Sequence, residues 1–142
     1  MNNDTVSLLK ECNSGIKMGE NAISKVLPRV HSEELRHTLQ VCKNTHAELG
    51  DKTHGLLISY NADTKPPHPV ARLMSDLKIS MKLMEGGDDK IADVMTDGCD
   101  MASSRFTSSL TSTKKADKSA RDIAERLIAS EEYLEARLRG FL

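Results

Sequence analysis

The sequence lacks tryptophan and has few aromatic residues of any kind, with two Phe and two Tyr among 142 residues. Hydrophobic residues still make up 38% of the chain, so a core must be built mainly from Leu, Ile, Val, Met and Ala. Helices pack such side chains readily, whereas sheets favour aromatic and β-branched residues. Gly and Pro are also few, at 8 and 4, which leaves little turn chemistry to join many short strands. We therefore predict an all-α protein with a single domain over residues 1–142.

An excess of charge of either sign is also missing, because 20 Lys and Arg are balanced by 21 Asp and Glu. Domains that bind nucleic acid normally carry a basic excess or a basic stripe. No apolar run approaches the roughly 20 residues that a membrane-spanning helix needs. The first residues lack the basic and apolar regions of a secretory signal. We expect no nucleic-acid partner, no membrane partner and a cytoplasmic location.

The chain contains only three cysteines, Cys12, Cys42 and Cys99. Their number is odd and none of them forms a Cys-x-x-Cys pair, which argues against a disulfide framework. Free thiols fit a reducing compartment, in agreement with the cytoplasmic location.

Apolar residues recur at alternating three- and four-residue steps over four long segments, which is the spacing of one helix face. The clearest stripe begins at Leu35 and passes through Cys42 and His46. It follows Ser32, a capping residue with two acids behind it, which is a helix start signal. The pattern predicts an antiparallel four-helix bundle with helices at about residues 4–27, 32–61, 88–112 and 117–141.

The link between the second and third helices is long and holds three of the four prolines. A shorter helical pattern follows them and predicts a crossover helix at about residues 69–85. Such a link can return along the bundle and make the second and third helices parallel, as in the one-crossover topology of ferritin-like bundles. A plain five-helix up-and-down array would give the same pattern. The surplus apolar residues between Met74 and Met84 predict a contact surface for a homo-oligomer, such as a dimer.

Two segments carry a resemblance to a known family: LLKECNSGIKMGENAI, at Leu8–Ile23, and IADVMTDGCDM, at Ile91–Met101. They resemble segments of an uncharacterised bacterial family of ferritin-like four-helix bundles. Together with the helix pattern, the resemblance covers most of the chain. It implies the ferritin-like fold and implies no activity.

The di-iron motif of the ferritin-like group is incomplete in this sequence. That motif needs a Glu-x-x-His on each of two helices. Glu34 and His37 supply one match, but both lie away from the leucine stripe. The last helix has Glu131, Glu132 and Glu135 and no histidine. We therefore predict no di-iron site and no catalytic residue.

A second group of metal-ligating residues lies on the predicted core stripes. A turn near residues 28–30 would place Cys12 beside His46, and a turn near residues 113–116 would place Cys99 close to Glu131. Cys thiolate, His nitrogen and carboxylate are ligands that zinc prefers. This gives the hypothesis of a buried mid-bundle site, binding zinc or another transition metal or acting in redox chemistry, formed by His46, Cys12, Cys42, Cys99 and Glu131.

The same residues also fit an ordinary core, because free cysteine behaves as a small hydrophobe and a buried histidine usually has a hydrogen-bond partner. The leading hypothesis is therefore a non-enzymatic bundle, without a cofactor, that acts as a binding or structural module. The buried metal or redox site is the alternative.

A histidine phosphotransfer domain is a further, less favoured alternative. Such domains carry an exposed histidine with a lysine at +3 and a glycine at +4. His46 has Gly50 at +4 but Leu49 in place of the lysine. His37 has Gln40 at that position, and no glycine follows it.

Overall fold

The computed structural model describes residues 3–65 and 86–142, which form four long helices and no strand within these two ranges. A short 3-10 turn extends the chain after the first helix and another after the last, at Leu27–Arg29 and Arg139–Phe141. The predicted all-α four-helix bundle is confirmed, and the predicted helix bounds agree with the structure to within about three residues. The helices are α1 (Asn3–Val26), α2 (Glu33–Ser59), α3 (Asp88–Ser112) and α4 (Lys118–Leu138).

The two ends of α2 follow from local residue chemistry. Ser32 caps the start, since its hydroxyl accepts a hydrogen bond from the backbone N–H of Leu35 at 3.2 Å. The end of α2 is followed by Asn61 in the left-handed region, with φ 55°. Asparagine tolerates this conformation better than most residues, and it commonly follows a helix end.

Hydrogen bonds between the helix starts show the direction of each helix. The carboxylate of Asp88, the first residue of α3, accepts bonds from the backbone N–H groups of His31 and Ser32 at 2.9 and 2.8 Å. The starts of α2 and α3 therefore lie at the same end of the bundle. At the other end, the Thr5 hydroxyl of α1 accepts a bond from the backbone N–H of Asp117, just before α4, at 2.7 Å. Helices α2 and α3 are thus parallel, and α1 packs antiparallel to both of them.

The buried side chains form two clusters along the bundle axis. One cluster includes Cys42 and Cys99 and lies toward the starts of α2 and α3. The other includes Cys12 and Phe106 and lies toward the starts of α1 and α4. His46 is fully buried and follows Cys42 by one turn of α2. It therefore lies where the two clusters meet.

One part of the predicted core is wrong. In the sequence, Gly98 and Met101 fall at the three- and four-residue spacing of the α3 stripe, which predicts that they face inward. Both are exposed instead, and 56% of Met101 is accessible to solvent. The buried face of α3 is formed by Ile91, Met95, Cys99 and Phe106. Gly98 and Met101 instead border a cavity next to that face.

The predicted crossover helix at about residues 69–85 and the Met74–Met84 contact surface lie outside the described residues. The parallel arrangement of α2 and α3 is required by a ferritin-like crossover and by a five-helix array alike. Among the described helices, none is both long and apolar enough to cross a membrane.

Candidate functional site

A histidine and a glutamate meet in the dry centre of the bundle. Nε2 of His46, on α2, lies 3.1 Å from Oε1 of Glu131, on α4. The two side chains are only 1% and 7% exposed to solvent. Buried charges are normally paired in this way, because an isolated charge in the interior is strongly destabilising. The pair joins two helices that are adjacent in the bundle.

The partner of Nδ1, the other ring nitrogen of His46, shows that Nδ1 is protonated. Nδ1 is 3.0 Å from the backbone carbonyl oxygen of Cys42 and 3.6 Å from its sulfur. A carbonyl oxygen can only accept, so Nδ1 carries a proton and donates it to the closer and stronger acceptor. With Nδ1 protonated, a second proton on Nε2 makes the ring a cation that faces the carboxylate.

The surroundings of His46 favour this cation. Burial lowers the pKa of the imidazole, because desolvation disfavours the charged form. The hydrogen bonds with Cys42 and Glu131, together with the charge interactions with the same two residues, outweigh burial and raise the pKa to about 10. His46 and Glu131 therefore form an imidazolium–carboxylate ion pair at neutral pH.

Cys99, beside this pair, is a neutral thiol. Burial raises the pKa of Cys99 far above its ordinary value, and the negative charge and hydrogen bonding of Glu131 raise it further. The sulfur of Cys42 lies 3.9 Å from the hydroxyl of Ser130 on α4. Thiolate is the nucleophilic and metal-binding form of cysteine, so Cys99 is held in its unreactive form.

Two glycines on α1 make room for large rings from other helices. A Cβ atom at Gly19 would lie 2.8 Å from Nε2 of His46, and a Cβ atom at Gly15 would lie 2.4 Å from the ring of Phe106. Both distances are shorter than real Cβ contacts. The absence of side chains at these two positions lets the imidazole and the phenyl ring approach the backbone of α1.

A partly enclosed cavity of about 240 Å³ lies between α1 and α3, directly above the ion pair. Gly15 and Gly19 belong to its α1 wall and Gly98 to its α3 wall, while His46 and Glu131 form part of its floor. Most of the other lining side chains are apolar. They include Met18, Ala22, Ile23, Met95, Phe106 and Leu134. The exposed position of Gly98 shows that the cavity reaches solvent beside α3.

The structure brings four of the five predicted metal-site residues together and leaves out Cys12. The α1 residue that faces His46 is Gly19. Cys12 precedes Gly19 by two helical turns, about 10 Å along the axis, and packs in the other core cluster. The predicted hairpin register was wrong because the turn is centred after residues 28–30. Burial and the charge of Glu11 raise the pKa of Cys12 to about 12.

Within residues 3–65 and 86–142, no group of three or more His, Cys, Asp or Glu side chains is arranged to hold a metal ion. The incomplete di-iron match faces outward, as predicted, since Glu34 and His37 are both exposed. Comparisons of the chain with protein-family models, curated proteins and solved structures found no match. The site is therefore interpreted from its own geometry.

The sequence predicted His46 and Glu131, which lie at the floor of the cavity. It did not predict the glycines that line the walls of the cavity. Gly15 and Gly19 are four residues apart on one helix face, a spacing that allows close approach of another element. That signal was present in the sequence. The partner of Gly15, Phe106, and the empty space beside Gly98 depend on how α1 and α3 are positioned relative to each other, which the spacing alone does not give.

Proposed function

We propose that this protein is a non-enzymatic binding module that takes up a small, mainly apolar molecule between α1 and α3. The observation that carries the proposal is the cavity of about 240 Å³ above the buried ion pair. Apolar cavities of about 150 Å³ already bind benzene or xenon. Ligand sites are typically concave and apolar, with a few fixed polar groups that orient the ligand.

The arrangement of the floor supports binding rather than catalysis. Both nitrogens of His46 already have hydrogen-bond partners, and Cys99 is held as a neutral thiol. General acid–base or nucleophilic catalysis needs a group that can reach the substrate and exchange a proton or attack it. The same burial argues against phosphotransfer, because a fully buried His46 offers no access to a phosphoryl donor.

A pair of glycine substitutions tests the location of binding. Gly98 lines the cavity, and a Cβ atom there would meet no atom of the described residues within 4 Å, so Gly98→Leu adds a bulky apolar side chain beside the opening. Gly55 on α2 is also exposed, has equally open surroundings and does not line the cavity, so Gly55→Leu is the matched control. Both substitutions replace a helical glycine by a better helix former, so their intrinsic effects on stability are similar.

Toluene is a suitable probe, and amide NMR spectra can follow the backbone signals of Gly15 and Gly19. We expect saturable shifts in the unsubstituted protein and in Gly55→Leu, and binding at least about tenfold weaker in Gly98→Leu. Equal binding to both variants would place the site elsewhere. No saturable shift in any of the three proteins would refute the proposal.

A metal or redox site on the cavity floor is the second candidate function. It is supported by the gathering of Cys42, His46, Cys99 and Glu131, which offer the sulfur, nitrogen and oxygen ligands that zinc or another transition metal prefers. Metal analysis after native purification and zinc reconstitution, with His46→Ala as the comparison, tests it. Bound metal that is lost in His46→Ala supports this candidate, and the absence of bound metal in both proteins ends it.

The ferritin-like relationship also belongs to this proposal. It agrees with the parallel direction of α2 and α3, which a single crossover and a five-helix array both produce. An experimental structure in which residues 66–85 return along the bundle surface as one crossover would support it. A fifth helix within the array would contradict it.

Self-association and a cytoplasmic location complete the proposal. Three free, buried cysteines support a reducing compartment, and cell fractionation tests this location. The surplus apolar residues between Met74 and Met84 support a homodimer. Sedimentation at several protein concentrations tests the dimer, and a monomer at all of them would contradict it.

A further inference from the structure

We infer that the ligand is an amphiphile without net charge, whose apolar body fills the cavity and whose hydrogen-bonding head lies in a neighbouring hydroxyl-lined groove. This inference rests on the proposed binding function and adds the chemical class of the ligand.

The groove adjoins the polar edge of the cavity. It has a volume of about 340 Å³ and lies between the first turns of α1 and the last turns of α3. Glu11, Arg105 and Ser109 line both spaces, so a molecule in the cavity can extend directly into the groove. Within the part of the chain that the structure describes, the remaining lining residues all carry hydroxyl groups. They are Ser7, Ser108, Ser112 and Thr113.

The charged groups of the groove balance each other. Nη2 of Arg105 lies 3.7 Å from Oε2 of Glu11, with both side chains partly buried. A carboxylate or phosphate head would be attracted by Arg105 and repelled by Glu11. An ammonium head would be attracted by Glu11 and repelled by Arg105. A charged group in a binding site disfavours ligands that carry the same charge. A neutral head avoids both repulsions and leaves the Arg105–Glu11 pair intact.

Two hydroxyl groups of the groove can accept hydrogen bonds from a ligand. Ser112 and Thr113 donate their protons to the backbone carbonyl of Ser109, at 3.2 and 2.6 Å. Each hydroxyl oxygen still has lone pairs with which it can accept. The head that fits is therefore one that donates, such as an alcohol or an amide N–H.

The deep end of the cavity requires the opposite chemistry. Nδ1 of His46 donates to the Cys42 carbonyl, and Nε2 faces Glu131. The ring therefore has no free donor or acceptor to offer a ligand, and the surrounding side chains are mostly apolar. A polar group placed beside the ring would lose its bonds to water without gaining one from His46. The apolar end of the ligand thus points to the floor, and the polar end points to the groove.

A ligand series with one common apolar body tests this inference. Octane, octan-1-ol, octanoate and octylamine are titrated into the full chain at neutral pH, and the amide signals of Gly15 and Gly19 are followed by NMR. The double variant Ser112→Ala/Thr113→Val removes from the groove the two hydroxyls that can accept from the ligand head. The matched control is Ser103→Ala/Ser104→Ala, which alters two neighbouring serines of α3 that line neither space.

We expect octan-1-ol to bind about fivefold more tightly than octane, octanoate and octylamine, which corresponds to about one hydrogen bond. That preference should disappear in Ser112→Ala/Thr113→Val and persist in the control. Equal binding of octane and octan-1-ol, or tighter binding of either ion, would overturn the inference on the head group while leaving the cavity as a binding site. Absence of binding by all four compounds would refute the proposed function itself.

Discussion

His46 and Glu131 form an ion pair across the centre of the bundle, with Nε2 and Oε1 3.1 Å apart and almost no access to water. The pair couples α2 to α4 and forms part of the floor of the cavity between α1 and α3. The carbonyl of Cys42 places a proton on Nδ1, and the ring is a cation when Nε2 is protonated as well.

Replacing the carboxylate tests this charge state. In Glu131→Gln the negative charge is lost and burial acts on His46 with less compensation, so its pKa should fall below about 10. NMR titration of the ring Cε1–H signal measures the change. Glu132→Gln alters the exposed neighbour and should leave the pKa of His46 high. A value near 10 in Glu131→Gln would mean that Glu131 does not stabilise the cation.

The raised pKa of His46 predicts that stability depends on pH. Below about pH 6.5 the ring is protonated in both the folded and the unfolded chain, and the full stabilisation is present. As the pH rises toward 10, only the folded state keeps the proton, so the free energy of unfolding should fall by up to about 1.4 kcal/mol per pH unit. Urea denaturation between pH 6 and pH 9 measures this slope. His46→Gln should remove it, and an equal slope in that variant would assign it to other groups.

Gly19 should not tolerate even a methyl group. A Cβ atom there would lie 2.8 Å from Nε2 of His46, and the ring cannot move away because both of its nitrogens have partners. We expect Gly19→Ala to lower the free energy of unfolding by about 1–3 kcal/mol, despite the better helix propensity of alanine. Gly55→Ala, where nothing lies within 4 Å, should be neutral or stabilising by up to about 1 kcal/mol. Denaturant midpoints measure both, and equal effects would contradict the close packing.

Gly15 and Phe106 should show a coupled effect on stability. Gly15→Ala places a methyl group 2.4 Å from the ring, and Phe106→Leu shortens the side chain that it meets. Each single substitution should destabilise the protein by about 1–3 kcal/mol. The double variant should lose at least about 0.5 kcal/mol less than the sum of the two, as expected for residues in direct contact. Additive losses in a double-mutant cycle would indicate that the ring does not rest on Gly15.

Asp88 should contribute more to stability than the acid beside it. Its carboxylate accepts hydrogen bonds from two backbone N–H groups before α2, at 2.9 and 2.8 Å. Asp88→Ala should therefore cost about 1–3 kcal/mol. Asp89→Ala removes an exposed acid from the same helix turn and should cost about 0.3–1 kcal/mol through the helix dipole. Thermal or urea unfolding distinguishes the two, and equal losses would argue against the contact between the starts of α2 and α3.

The helices and most of their buried faces could be predicted because their signals are local. The stripe from Leu35 through Cys42 and His46 needs only the helical repeat, and Ser32 marks the helix start by its own side chain. These features do not depend on how far one helix is shifted along another. Glu131 was included on a different basis, because the turn between α3 and α4 was expected to bring it close to Cys99.

The positions of the helices relative to each other could not be predicted with the same accuracy. Relative to the predicted register, α1 is shifted along α2 by about two helical turns, about one for each helix. Gly19, and not Cys12, therefore faces His46. The helical spacing predicts that Met101 is buried in the bundle, because spacing alone does not distinguish a buried apolar residue from an exposed one. The exposure of Met101 depends on the gap between α1 and α3. The close contacts at Gly15 and Gly19, and the space beside them, determine that gap.

The central claim is that an apolar space exists between α1 and α3, ready to receive a ligand. A crystal structure of the protein under xenon pressure tests it most directly, because xenon enters dry apolar cavities and leaves an unmistakable density. We predict a xenon atom in contact with Gly15, Gly98 and Phe106, above the His46–Glu131 pair. Density showing that space filled by the protein's own side chains, or by water bonded to His46, would contradict the account.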